Sequence, residues 1–262
     1  MRCIFCKNNS DSSTSVEHIV PESLGNTEHI LPSGWVCDSC NNYFSREVEK
    51  PFLDSLYGRT SRFEMQVSSK KNRIPSVQGF HFESKSRIEL FYNSDNAGLS
   101  VGAAEGEDES RWVRSVMTDK TGTLLIPQPN APENNYITAR FIGKIGFEIL
   151  AQKAITIPGW NDELVDKKEL DDLRNYVRLG NPKLLWPIHI RRIYPQDFLF
   201  IEAESTPHEI LHEWNILQTS ESEYFAVVAI FGIEYVINLG SPELEGYIKW
   251  LKEKDNKSPL YV

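Results

Sequence analysis

The chain has 262 residues, of which 40% are hydrophobic and 25% charged, and its formal net charge is −9. These values are ordinary for a globular protein in water, and they exclude a disordered chain or a small fold that depends on disulfides. No run reaches the roughly 18 apolar residues that cross a bilayer, and no apolar leader follows Met1. We therefore expect a cytoplasmic protein without membrane contact, in which paired cysteines serve metal or redox chemistry.

The first predicted helix covers residues 41–56. Phe44, Val48 and Phe52 recur at every fourth residue, so a helix would place all three on one face. Pro51 falls inside this run and has no backbone N–H, so it should either kink the helix or start a second one.

The middle of the chain is predicted to pass from strands to helices. In residues 63–130, strands and loops are indicated by apolar residues in alternation with polar ones: Phe80, Phe82, Ile88, Leu90 and Tyr92. In residues 133–180, one helix is predicted from the four-residue spacing of Phe141, Ile145 and Ile149. Gly143 and Gly146 would weaken this helix unless another element packs closely against it.

The last part of the chain is predicted to contain a second helix and then strands. Leu170, Leu173 and Val177 would lie on one face of a helix, and Gly180 is expected to end that helix. Short apolar runs follow at residues 198–201, 226–231 and 235–239, and the last two flank Gly232 as a hairpin would. Ser241 and Pro242 are expected to begin a final helix.

All four cysteines fall into two Cys-x-x-Cys pairs, Cys3 with Cys6 and Cys37 with Cys40. Zinc favours four tetrahedral thiolate or imidazole ligands, and two such pairs complete its coordination without an open position. We therefore predict a structural zinc ion whose loss would unfold this segment. The alternative is four unrelated cysteines or a redox pair.

Between and beside the cysteine pairs lie three residues suited to phosphodiester hydrolysis. His18 can take a proton from water at neutral pH, as a general base does. The Glu17 carboxylate and the side-chain oxygen of Asn41 are the hard ligands that Mg²⁺ or Mn²⁺ prefers. Taken singly, each residue would more often be solvated, buried with a partner or, for Asn41, a helix cap.

The order Cys-x-x-Cys, Glu17-His18-x-x-Pro21, Gly25, Cys-x-x-Cys-Asn41 resembles the HNH (ββα-metal) endonuclease family, in its zinc-containing HNN-like variant. The resemblance covers residues 1–60. It implies a zinc-stapled ββα module, His18 as general base, and one catalytic Mg²⁺ or Mn²⁺ on Glu17 and Asn41. Glu17 departs from the more usual Asp, and Asn26 is the nearest residue to the middle position of the motif.

These observations predict an α+β protein with an HNH endonuclease domain in residues 1–62 and an α+β region in residues 63–262. That region would position substrate, dimerise or respond to an activating protein partner. The substrate implied by the resemblance is DNA, and its family-level settings include restriction and anti-phage defence. The rival hypothesis is a non-catalytic zinc ribbon that binds nucleic acid or acts as an adaptor, and a third is a nuclease acting on RNA.

Overall fold

The computed structural model describes residues 1–69, 72–93, 98–119, 122–181, 184–195 and 212–261. The chain divides into two compact units, one made of Met1–Phe52 with Glu133–Val262 and the other of Leu53–Pro132. Helices and antiparallel sheets occur in both units, which confirms the predicted α+β class. The predicted functional boundary between residues 62 and 63 does not coincide with this division, and it stays a prediction.

The N-terminal segment of the first unit is a short hairpin followed by a helical run. Its elements are β1 (Glu17–His18), a 3-10 turn (Glu22–Leu24), β2 (Ile30–Leu31), α1 (Asp38–Phe44), a π-helical turn (Ser45–Glu49) and α2 (Lys50–Leu53). β1 and β2 are antiparallel, with Glu17 opposite Leu31 and His18 opposite Ile30. Two strands and a helix in this order form the predicted ββα module.

The helical run is continuous from Asp38 to Leu53 and passes through Pro51, with the π-helical turn ending two residues before it. The predicted apolar face is buried: Phe44, Val48 and Phe52. In a regular α-helix the carbonyl of Glu47 would accept a hydrogen bond from the N–H of residue 51, which proline lacks. Arg140 supplies the donor instead, with its Nη1 atom 3.1 Å from the Glu47 oxygen.

The second unit is built around an antiparallel sheet. Its elements are α3 (Leu56–Glu64), β3 (Val77–His81), β4 (Ser86–Tyr92), β5 (Leu99–Ala103), α4 (Glu109–Asp119) and β6 (Leu124–Leu125). The strand order is β5-β4-β3-β6. Ile88 and Leu90 are buried, as their alternation predicts, but Phe82 lies in the turn after β3 and is 63% exposed. Helix α4 was not predicted.

The C-terminal part of the first unit places three helices before a second sheet and one after it. Its elements are α5 (Tyr136–Ala154), α6 (Trp160–Asp166), a 3-10 turn (Lys168–Leu170), α7 (Asp171–Leu179), β7 (Ile188–Arg192), β8 (His212–Gln218), β9 (Tyr224–Ile230), β10 (Ile233–Asn238) and α8 (Glu245–Glu253). The strand order is β7-β10-β9-β8. The hairpin around Gly232 is confirmed, α8 begins after Leu244 rather than at Ser241, and the strand predicted at residues 198–201 lies outside the described residues.

Helix α5 is the central element of the first unit. It packs against the sheet strands β8, β9 and β10 and also against β2 and the π-helical turn of the N-terminal segment. A Cβ atom on Gly143 would lie 2.8 Å from Val177, and one on Gly146 would lie 2.9 Å from Ala226. Both glycines therefore permit a neighbouring element to pack closely against α5, as their presence in a helix predicted. Among the described helices, none combines the length and the apolar character needed to cross a bilayer.

Candidate functional site

The two cysteine pairs converge at the start of α1. Cys37 is the N-cap residue of this helix, and Cys40 lies in its first turn. The four Sγ atoms all lie within 4.8 Å of one another, and those of Cys6 and Cys37 are 3.6 Å apart. Tetrahedral zinc with bonds of about 2.3 Å needs sulfur atoms roughly 3.8 Å apart, so the cluster fits a structural zinc ion.

Backbone N–H groups and neighbouring thiols hydrogen-bond to the sulfur atoms of this cluster. The N–H of Cys37 donates to Cys3 Sγ and the N–H of Cys40 donates to Cys37 Sγ, each at 3.4 Å. The thiol of Cys40 hydrogen-bonds to Cys3 and lowers the pKa of Cys3 to about 5, whereas burial raises the pKa of Cys6 to about 11. A bound divalent ion would favour loss of the thiol protons.

The β1–β2 hairpin that carries Glu17 and His18 is held in shape by Asn26. The Nδ2 atom of this buried amide donates to the carbonyls of Val20 at 2.7 Å and His29 at 2.9 Å. Its Oδ1 atom accepts from the N–H groups of Glu28 and His29. The middle candidate of the motif thus fixes the turn between the two strands, and it does so through all of its polar atoms.

Asn41 meets this hairpin from the first turns of α1. Its Nδ2 atom donates to the carbonyl of Val16 at 3.2 Å, directly before Glu17. That bond leaves the Oδ1 atom of Asn41 as its remaining polar group. The next residue, Asn42, is exposed, so the local geometry favours Asn41 for any role beside β1.

His18 is half-buried, and its Nδ1 atom has no hydrogen-bond partner among the described residues. A buried imidazole nitrogen left unpaired is costly, so such an atom is expected to meet a water molecule, a proton donor or a metal ion in the working protein. The site as a whole offers a carboxylate, an imidazole and an amide oxygen. This donor set fits a divalent cation with retained water molecules.

Glu17 is engaged by a lysine from the distant helix α5. The Nζ atom of Lys144 lies 2.5 Å from Glu17 Oε1 and 3.2 Å from the carbonyl oxygen of His18. The same ammonium lies 2.8 Å from Glu49 Oε1 and 3.0 Å from Glu148 Oε2. Lys144 and Glu148 are completely buried, so this is an internal ionic cluster rather than a surface salt bridge.

The charges of this cluster are strongly coupled. Burial by itself would lower the pKa of Lys144, but the three surrounding carboxylates outweigh burial and hold that pKa well above its ordinary value. Burial raises the pKa of Glu148, and the ammonium offsets this effect only in part. The surrounding carboxylates thus favour the ammonium form of Lys144, whereas burial disfavours the ionised form of Glu148.

Neither Lys144 nor its partners Glu49 and Glu148 were predicted as site residues. A usable signal was present: Lys144 and Glu148 lie four apart inside the otherwise apolar run of α5, as a buried ion pair would. Glu47, on the same helical run as Asn41, is exposed. His208, four residues before His212 and so a possible second metal ligand beside it, lies outside the described residues.

Residues 3–57 match the sequence model of the family described as HNH endonuclease. The match agrees with the predicted resemblance and, together with the cysteine cluster, identifies the N-terminal segment as a zinc-binding HNH variant. At the family level this supports a nuclease, that is, a hydrolase acting on nucleic acid. No curated protein and no solved structure matches the chain significantly.

Proposed function

We propose that this protein is a metal-dependent endonuclease that hydrolyses phosphodiester bonds in DNA, with His18 as the general base. The observation that carries the proposal is the match to the HNH endonuclease family over the segment that holds the four-cysteine cluster, in which the Asn41 side chain bonds to the backbone directly before Glu17. Zinc at the cysteines would be structural, since all four coordination positions would be filled by protein.

Glu17 and Asn41 would hold the catalytic Mg²⁺ or Mn²⁺ through a carboxylate and an amide oxygen. When bound, this cation would neutralise phosphate charge and stabilise the leaving oxygen. His18 would accept the proton of the attacking water through its imidazole, whose Nδ1 atom has no protein partner in the described part of the chain. Asn26 would keep His18 in place by fixing the hairpin turn.

The test is cleavage of supercoiled plasmid by the full chain with Mg²⁺ or Mn²⁺. His18→Ala should abolish nicking and linearisation at unchanged zinc content, a loss of about 100-fold or more. Two matched pairs separate the proposed ligands from their neighbours: Glu17→Gln with the exposed Glu47→Gln, and Asn41→Ala with the exposed Asn42→Ala. Only the first member of each pair should lose activity. Equal cleavage by wild type and His18→Ala would refute the assigned base.

A non-catalytic zinc ribbon is the second candidate, and the engagement of Glu17 by Lys144 is the observation that favours it. This function requires the cysteines but not His18. Nucleic-acid binding that survives His18→Ala, together with no cleavage under any metal condition, would support it. Competition between duplex DNA and single-stranded RNA would show which substrate the protein prefers.

The proposed setting is restriction of foreign DNA or anti-phage defence, and the support for it is the family resemblance alone. The region of residues 63–262 would position substrate, form a homo-oligomer or receive an activating partner. A bacterial host that expresses the chain should show a lower plating efficiency of phage, and His18→Ala should restore it. An unchanged plating efficiency, with a protein that cleaves DNA in the plasmid assay, would refute the proposed role in defence.

A further inference from the structure

Four oxygen atoms surround the ammonium of Lys144 inside the first unit. They belong to the carboxylates of Glu17, Glu49 and Glu148, at 2.5, 2.8 and 3.0 Å, and to the carbonyl of His18 at 3.2 Å. Carboxylate and carbonyl oxygens are the ligands that Mg²⁺ and Mn²⁺ prefer. Lys144 therefore supplies one positive charge to a set of atoms that also suits a divalent cation.

The cluster contains more acceptors than this one ammonium satisfies. Glu148 is fully buried, and its Oε1 atom has no hydrogen-bond partner among the described residues. Three carboxylates against one lysine give an excess of negative charge whenever more than one of them is ionised.

We propose that the ammonium of Lys144 and the divalent cation compete for the carboxylate of Glu17. Lys144 would thereby set the metal concentration at which the site becomes active. The inference rests on the proposed function, because that function requires a cation on Glu17. Its physical basis is Coulombic: an ammonium in contact with a ligand carboxylate repels a second cation, and burial weakens the screening of that repulsion.

Lys144 lies on α5, outside residues 3–57 that match the nuclease family. Helix α5 also packs on β8, β9 and β10. The remainder of the chain therefore controls the carboxylate of the nuclease segment directly.

The experiment compares Mn²⁺ binding to the zinc-loaded full chain by electron paramagnetic resonance, without DNA. Lys144→Met removes the charge and keeps most of the side-chain volume, whereas Lys144→Arg keeps the charge. Glu234→Gln is the control for loss of a buried ion pair, because Glu234 is fully buried and bonded to Arg191 at 2.5 Å, on strand β10.

Lys144→Met should bind Mn²⁺ more tightly than wild type by about tenfold or more, which corresponds to about 1.4 kcal/mol. Lys144→Arg and Glu234→Gln should bind it as wild type does. Lys144→Met should also melt at a lower temperature than wild type without added metal and recover on addition of Mn²⁺, because the cation replaces the missing ammonium. Glu234→Gln should lose stability without such recovery.

Binding of Mn²⁺ by Lys144→Met that is no tighter than wild type would overturn the inference. If Lys144→Met fails to fold, Lys144→Met with Glu148→Gln removes one buried carboxyl group as well and is measured in the same way. The proposed function fails separately: wild type that cuts no DNA with any metal refutes the nuclease, whereas the Mn²⁺ affinities still decide whether Lys144 and the cation compete for Glu17.

Discussion

Removal of zinc is expected to unfold the whole first unit rather than only its N-terminal turn. Ile4 and Phe5 lie between the first two cysteines and are 0% and 1% exposed. Phe5 contacts Phe44 of α1 and Phe147 of α5, with ring centroids 4.4 and 5.3 Å apart. The metal-held turn therefore carries apolar side chains that form part of the core around α5.

The expected magnitude follows from this burial. Each fully buried side chain of this size contributes about 1.5–3 kcal/mol, so opening the turn forfeits roughly 3–6 kcal/mol from Ile4 and Phe5 alone. Loss of the metal–thiolate bonds adds to this, since structural zinc contributes about 10–16 kcal/mol of apparent binding free energy in small domains. A typical domain has only about 5–15 kcal/mol of total stability.

The assay is thermal unfolding followed by circular dichroism and tryptophan fluorescence, with zinc measured in the same samples. Cys40→Ser, or a chelator added to wild type, should remove the cooperative transition of the first unit. The reasoning would be refuted if zinc-free protein kept its melting temperature and its near-ultraviolet spectrum. In that case the thiols and the aromatic contacts would hold the turn without metal.

Three further predictions concern the hairpin, the central helix and pH. Asn26→Ala should lower the free energy of unfolding by about 2–4 kcal/mol and reduce DNA cleavage, because buried backbone groups lose their hydrogen-bond partners. Urea unfolding measures the first effect and the plasmid assay the second. Gly146→Val should lower the free energy of unfolding by about 1–3 kcal/mol, since even its Cβ atom would lie 2.9 Å from Ala226. A lower urea midpoint, with an unchanged dependence of the unfolding free energy on urea concentration, would show this. Burial lowers the pKa of His212 to about 4 from 6.5, so the stability linked to its neutral ring is present above pH 6.5 and is lost as the pH falls towards 4. That loss reaches about 3 kcal/mol, and His212→Leu should therefore lose less stability than wild type between pH 7 and pH 5.

The sequence is most informative where the chemistry is local. The cysteines of each pair are three residues apart, and Glu17 and His18 are adjacent, so spacing alone predicts the metal cluster and the side chains on one short strand. The glycines of α5 were also informative, because a helix tolerates two of them only where a neighbour packs closely.

The ionic cluster could not be predicted in the same way. Glu17 and Lys144 are 127 positions apart, and only the packing of α5 against the N-terminal segment brings them together. Helix α6 has only seven residues, too few for a periodic pattern to be recognised. Helix α4 does have apolar residues at helical spacing, Trp112, Val113, Val116 and Met117, but most of them are exposed. The hydrogen bond that Arg140 donates to Glu47 in the π-helical turn joins residues 93 positions apart, and no local pattern indicates it.

The position of α5 limits how this HNH-like segment can be transferred to another protein. Phe52 stacks on Phe141 at a centroid distance of 4.1 Å, and Arg140 and Lys144 bond to backbone atoms of the N-terminal segment. A graft of residues 1–57 onto another scaffold would expose these apolar rings and leave Glu17 without its counterion. The transferable part is therefore discontinuous in the chain: the zinc-bound hairpin and α5 have to be moved together.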